Sequence, residues 1–190
     1  MDNKVYRLLF PQAPLVRTEK YKEYDFDQNP SGTNAIVAVI AYTGYDMEDA
    51  MIINKSSYER GFGHGSVYKS YLRDINEGST GRSRYRLVKQ KDHGVSFALQ
   101  KNNLDVDGLP FIGQKLTHGE ADQCIYDTVL QKPKFSSFKD NESARVENVR
   151  LMGDEKDPSY VSLGYTIRYN RNPVIGDKFS SRHGQKGVLS

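Results

Sequence analysis

A mainly β architecture is predicted by three features of this 190-residue chain. Apolar runs of strand length recur between polar turns, the segment from Tyr160 to Tyr169 alternates apolar and polar residues without a break, and helix-start signals are scarce. Strands need only period-2 patterning over about four to eight residues, whereas a helix needs a longer apolar stripe at helical spacing. Such strands gain stability by packing as sheets around a shared core.

Taken in order, Met1 to Gly32 reads as irregular and extended, because Pro11, Pro14 and Pro30 break any ladder. Ala35 to Tyr42 is a continuous, β-branched apolar run, bounded by Asn34 and Gly44. Its length and composition predict a strand buried on both faces. Ala50 to Ile53 predicts a second short buried strand, and the loop between the two carries Asp46, Glu48 and Asp49. Ser56 to Glu59 fits a capping box, with Gly61 placed to stop a one-turn helix. Further strands are predicted over Ser66 to Leu72, Arg84 to Val88, Val95 to Leu99 and Ile125 to Leu130. In the alternating segment Val161, Leu163, Tyr165, Ile167 and Tyr169 share one face, while Ser162, Gly164, Thr166 and Arg168 share the other. That is the pattern of a half-exposed strand. Lys89 to Gly94 and Lys132 to Glu142 are predicted to be polar loops. The middle, roughly Gly65 to Asn172, is more polar than its flanks and reads as an insertion between two pieces of one core. The end at Ser190, just after the most informative segment, is expected to be a cut within a longer polypeptide.

The charge balance of 27 Lys+Arg against 24 Asp+Glu is too even to argue for nucleic-acid binding by itself. Its distribution matters more, since Arg171 to Ser190 holds four cations and one acid. The single cysteine, Cys124, excludes an internal disulfide and a cysteine-built zinc site. No apolar run approaches the length of a bilayer-spanning helix, and the first residues lack a secretory apolar region. The expectation is a soluble chain of a reducing compartment, with no membrane partner.

Two constellations carry candidate chemistry. Pro173-Val-Ile runs into a turn at Gly176 and then sets out Lys178, Arg182, His183 and Lys186, with Gly184 and Gly187 between them. Side chains of this kind meet phosphate oxygens, and glycines let a ligand or backbone come close. A solvated basic turn is the bland alternative. Glu48 and Asp49, with Asp46, offer hard carboxylate oxygens between two strands, the donor type that Mg²⁺ prefers. The bland alternative there is a solvated acidic turn. Acids for a metal and cations for phosphates together make up the equipment of phosphoryl transfer. Asp25-Phe-Asp27 resembles part of a metal triplet, and Asn103 to Gly108 the start of a calcium loop. Asn29 and Pro30 spoil the first, and Pro110 and Gln114 the second. His64 and His118 stand alone as surface residues. Tyr165 and Tyr169 read as core and not as base-stacking platforms, and no elbow motif supports a covalent hydrolase.

Gly32-Thr-Asn-Ala-Ile-Val-Ala-Val, Gly44-Tyr-Asp-Met-Glu-Asp-Ala-Met-Ile, Glu59-Arg-Gly-Phe and Gly176-Asp-Lys-Phe-Ser-Ser-Arg-His-Gly-Gln-Lys-Gly187 resemble the second-largest subunit of multisubunit RNA polymerases. Together with Asp107-Gly-Leu-Pro-Phe-Ile-Gly-Gln-Lys, the wording looks most like the polymerase I form. The resemblance implies a double-psi β-barrel, the hybrid-binding domain, incomplete here and interrupted by a β-rich wall or flap. The barrel would comprise residues 1–64 and 173–190, and the wall 65–172. It implies that Glu48 and Asp49 sit beside a second Mg²⁺ shared with the largest subunit. It implies further that Lys178 and Lys186, with Arg182 and His183 of the same motif, bind RNA or nucleotide phosphates. The implied partners are the largest and other polymerase subunits, the DNA template, the RNA–DNA hybrid and nucleoside triphosphates, in the nucleus and specifically the nucleolus. The implied activity is nucleotidyl transfer making pre-ribosomal RNA, with the isolated fragment inactive. The alternatives are a non-catalytic β-barrel nucleic-acid-binding module, or the polymerase II or III counterpart.

Overall fold

Period-2 patterning does produce a mainly β chain. The computed structural model describes residues 3–41, 44–45, 47–77, 84–92, 94–153 and 161–190. Its elements are β1 (Lys4–Leu8), α1 (Glu19–Glu23), β2 (Ala50–Met51), α2 (Lys55–Glu59), β3 (Gly65–Asp74), β4 (Tyr85–Leu87), α3 (Val95–Lys101), β5 (Lys115–Leu116), β6 (Ala121–Asp127), β7 (Lys132–Ser137), β8 (Ala144–Gly153), β9 (Val161–Arg171), β10 (Lys178–Ser180) and β11 (Lys186–Leu189). They form a five-stranded sheet in the order β1-β3-β9-β8-β5 and two three-stranded sheets, β4-β6-β7 and β10-β11-β2. None of the described helices is long and apolar enough to cross a membrane. The chain divides into two compact units, residues 1–5 with 68–169 and residues 6–67 with 170–190.

In the first unit the alternation of β9 is realised from Leu163 onward: Leu163, Tyr165, Ile167 and Tyr169 are buried, while Gly164, Thr166 and Arg168 are half-buried; at the start of the strand it fails, for Ser162 is buried and Val161 half-buried. β8 pairs antiparallel with β9 from Arg145↔Arg168 to Gly153↔Val161, with a bulge between Val146 and Asn148. β6 is covered on both faces. Ile125 packs with Ile75, Leu109, Leu163 and Tyr165, and its neighbour Cys124, pointing the other way, packs with Val88, Val95, Leu99 and Leu104. The buried carboxylates Asp127 and Asp122 and the half-buried Asp92 are matched by guanidinium groups: Arg84 to Asp127, Arg86 to Asp92 and Arg73 to Asp122, at 2.9, 2.7 and 2.9 Å.

Several elements depart from expectation. Ala35 to Tyr42 is not a buried strand, for the described residues 35–41 join no ladder and Ile36, Val37, Val39 and Ile40 are exposed. High β-propensity makes a strand only where a partner edge is present, and no described segment pairs with this one. Val95 to Leu99 is the start of helix α3 and not a strand. Val95 and Leu99, four residues apart, share the buried helix face while Phe97 is exposed, so a two-residue alternation over five residues was also a helical one. Lys132 to Ser137 is strand β7, in which Pro133 and Phe135 turn inward and the lysines outward, so its polarity had suggested a loop. Pro133 is tolerated because β7 is an edge. Met1 to Gly32 is not wholly irregular, since it contains β1 and the one-turn helix α1. In α2 the cap is Asn54, whose side chain accepts from the Ser57 amide at 3.1 Å, and not Ser56. Ala50 to Ile53 narrows to Ala50–Met51, half-buried, with Ile52 exposed.

Candidate functional site

The basic glycine segment folds as a hairpin. β10 and β11 pair antiparallel with Lys178↔Val188, Phe179↔Gly187 and Ser180↔Lys186. Directly opposed residues share a sheet face, so Lys178, Ser180, Lys186 and Val188 lie on one side and Phe179, Gly187 and Leu189 on the other. Burial follows that division: the first four are exposed, whereas Gly187 and Leu189 are buried and Phe179 is half-buried. The two lysines are therefore diagonal neighbours on one solvent face, a separation of roughly 7–8 Å between the residues. Among the described residues neither has a carboxylate within ion-pair distance. Two unpaired ammonium groups this close attract an anion that can lie across both.

The connections at each end of the hairpin are held by polar side chains. In the 181–185 loop, the Ser181 hydroxyl oxygen accepts from the His183 and Gln185 amides, both at 3.2 Å, and the Ser181 amide donates to the Gln185 carbonyl at 2.7 Å. Gly184 supplies the left-handed turn residue at φ 92°. Before β10, the Asp177 carboxylate accepts from the Val174 amide at 2.9 Å and its carbonyl from the Leu189 amide at 2.8 Å. The one acid of the basic segment is thus a turn-forming residue. Arg182 points its guanidinium at the Gly32–Thr33 backbone, with Nη2 3.5 Å from the Thr33 carbonyl oxygen. His183 is exposed in the loop.

The acids arrive at the same sheet from the other end of the sequence. β2 joins β11 in parallel, Val188↔Ala50 and Leu189↔Met51. The Val188 amide donates to the Asp49 carbonyl at 3.0 Å, and the Ser190 amide to the Met51 carbonyl at 2.9 Å. Asp49, directly before β2, and Lys186, the first residue of β11, are 137 positions apart in the numbering and are thereby brought to neighbouring strands. Glu48 and Asp49 are both exposed and both left-handed, at φ 60° and 62°. Two consecutive non-glycine residues in that region are uncommon and cost of order 1–3 kcal/mol each. Asp46 lies outside the described residues. Two adjacent exposed carboxylates fit a hard divalent cation as two of its oxygen donors, leaving further positions for water or substrate oxygens. No group of three or more candidate metal ligands occurs among the described residues.

The decoys resolve as turns. Both carboxylate oxygens of Asp27 accept from Arg17 Nη1, at 2.7 and 3.0 Å, and Asp25 is left-handed at φ 57°. Asp105 and Asp107 accept backbone amides of the same turn, from Val106 and Leu109. His118 is exposed, but His64 is half-buried and packs its ring 4.8 Å from that of Tyr58, tilted at 55°, so it is not a free surface residue. The role of Gln12, whose side chain reaches the Gly32–Asn34 segment, had no signal in the sequence.

All of the chain, residues 1–190, matches the family RNA polymerase Rpb2, domain 6. The chain belongs to that family. Among its relatives, the DNA-directed RNA polymerase I subunit RPA2 of Euplotoides octocarinatus is 57% identical over 197 residues. The human protein of that name is 47% identical over 196 residues, and that of Neurospora crassa 45% over 204. Each alignment covers 100% of this chain but only 16–17% of the relative, so the chain spans about a sixth of the length of these subunits.

Proposed function

We propose that this chain is the part of an RNA polymerase I second-largest subunit that contributes to the centre for template-directed nucleotidyl transfer. Residues 1–64 and 173–190 would form hybrid-binding barrel and residues 65–172 the wall. Its working neighbours would be the largest subunit and other polymerase subunits, the DNA template, the RNA–DNA hybrid and nucleoside triphosphates, in the nucleus and its nucleolus. The observation that carries the reading is the shared exposed face of Lys178 and Lys186 on the sheet whose third strand begins at Ala50, directly after Asp49.

On this reading the two ammonium groups neutralise RNA and substrate phosphates and hold them in register. Glu48 and Asp49 would hold a Mg²⁺ ion jointly with acids of the largest subunit. When bound, that ion offsets the charge of the nucleotide phosphates. The rigid β2–β11 pairing keeps the carboxylate arm and the lysine face at a fixed offset, so charge is compensated without reorganisation during the reaction. His183 stands in the loop between the two lysine strands, within the same cationic surface.

The test uses polymerase assembled around the full-length subunit. Asp49→Asn and Lys186→Ala should each slow single-nucleotide addition by roughly 10²-fold while assembly is retained. Wild-type addition by both variants, with weakened nucleic-acid affinity alone, would favour the non-catalytic binding module instead.

A further inference from the structure

The segment Gly32–Asn34 carries no regular structure, yet it is tied from two directions. On one side stands Gln12. Its amide donates to the Gly32 carbonyl at 2.8 Å, and its side-chain oxygen accepts from the Thr33 hydroxyl and the Asn34 amide, both at 2.9 Å. The Asn34 side-chain amide returns a bond to the Ala13 carbonyl at 2.8 Å. On the other side lies Arg182. Besides its contact with the Thr33 carbonyl, its guanidinium lies against Gly32, where a Cβ would stand 3.3 Å from Nη2 and 3.4 Å from Nε. A planar guanidinium packs this closely on backbone only where no side chain intervenes.

We propose that Gln12 and Arg182 clamp the Gly32–Asn34 backbone and so position the 181–185 loop, making Arg182 a positioning residue and not a phosphate ligand. The inference rests on the active-centre reading above. Internal bonds from Ser181 fix the shape of the loop and the Ser180↔Lys186 pair anchors its base, but neither sets the tilt of its tip toward the Gly32–Asn34 segment. Arg182 supplies the orientation, because it is the loop residue whose side chain reaches a distant segment, 149 positions away. Lys186 follows the loop directly, so a tilt of the loop moves the first ammonium group of β11. Gln12 acts one step further back: it holds the surface against which Arg182 rests. Neither residue needs to touch substrate.

The experiment is a double-mutant cycle in polymerase assembled around the full-length subunit, with single-nucleotide addition as readout. Gln12→Leu and Arg182→Ala are each expected to lower the maximal rate about tenfold, as displacements of a fraction of an ångström do. The NTP concentration for half-maximal rate should change less than about twofold, since no phosphate contact is lost. The double variant should again lose about tenfold, because both changes release one segment. Gln12→Glu, which keeps the acceptor oxygen, should retain the rate. A multiplicative loss of about a hundredfold in the double variant, a raised half-saturating NTP concentration in Arg182→Ala, or a wild-type rate in Gln12→Leu would each overturn the clamp. Lys186→Ala separates the two levels. If it is slow while the cycle is multiplicative, the active-centre reading stands and the clamp falls. If it is silent, both fall.

Discussion

Gly187 is where β11 passes β2, and replacing it with alanine is the sharpest perturbation available to the candidate site. A Cβ there would stand 2.5 Å from Met51 Cγ, 2.9 Å from Met51 Sδ and 2.7 Å from the Asp49 carbonyl oxygen. Met51 can swing away, since its side chain has several soft torsions. The Asp49 carbonyl cannot, because it accepts the Val188 amide at 3.0 Å. Restoring ordinary contact requires the backbones to part by about 0.7 Å at that point, which close packing does not absorb for free. The stability cost should be about 1–3 kcal/mol. The catalytic cost is larger in proportion, because the shift falls on the residue carrying the carboxylate; a displacement of this size predicts roughly a 10- to 100-fold slower nucleotide addition. The assay is single-nucleotide addition by polymerase assembled with Gly187→Ala, paired with hydrogen exchange at the Val188 amide. Gly164→Ala is the control, since its Cβ would meet first the mobile end of Met152, at 3.0 Å. Wild-type addition together with unchanged Val188 protection would refute the argument that this backbone approach fixes Asp49.

Other expectations concern the first unit. Asp140 takes hydrogen bonds from Tyr169, Tyr71 and Lys69, and the Tyr169 bond foremost holds its carboxyl below the usual value of 3.8. A depressed carboxyl contributes stability that is present above the ordinary pKa and lost as pH falls through the folded one. The urea-midpoint gap between wild type and Asp140→Asn should therefore be wide at neutral pH and close in acid; a gap independent of pH would contradict this. Burial pushes the Cys124 thiol up to about 11, so a thiol-alkylating reagent should modify it only as fast as the core opens. Rapid labelling of the native protein would contradict that. At Gly108, φ 82°, a Cβ would lie 2.4 Å from the Cys124 carbonyl oxygen, whereas Gly119, φ 84°, faces open space. Gly108→Ala should cost on the order of 3 kcal/mol or more in thermal unfolding, and Gly119→Ala only about 1. Equal losses would remove the packing part of the argument.

What the sequence made legible was whatever depended on near neighbours along the chain. The face assignment of β9 followed from alternation for Leu163 to Tyr169 but not at Ser162, which is buried and whose hydroxyl donates to the Arg73 carbonyl. The turn at Gly176 followed from the residue type, and the general expectation that the segment's glycines admit a close backbone is met at Gly187, against Asp49 and Met51. The same reasoning failed at Ala35 to Ala41, where the pattern describes what a residue prefers and says nothing about which edge will receive it. It failed at Val95 to Leu99 because five residues are too few to separate a two-residue from a four-residue repeat. At the candidate site, residue types could nominate Glu48, Asp49, Lys178 and Lys186, but only the parallel pairing of β2 with β11 brings the two groups to one sheet. Gln12 was invisible for a plain reason: a lone exposed glutamine has no distinctive spacing, and its meaning comes entirely from what it touches.

On the proposed reading, the left-handed pair at Glu48 and Asp49 puts folding and chemistry at odds at two successive residues. Glycine in either place would ease the backbone and delete an oxygen donor. A redesign guided by thermal robustness alone would reach for these two positions early, and if they hold the ion it would gain its degrees by disarming the protein.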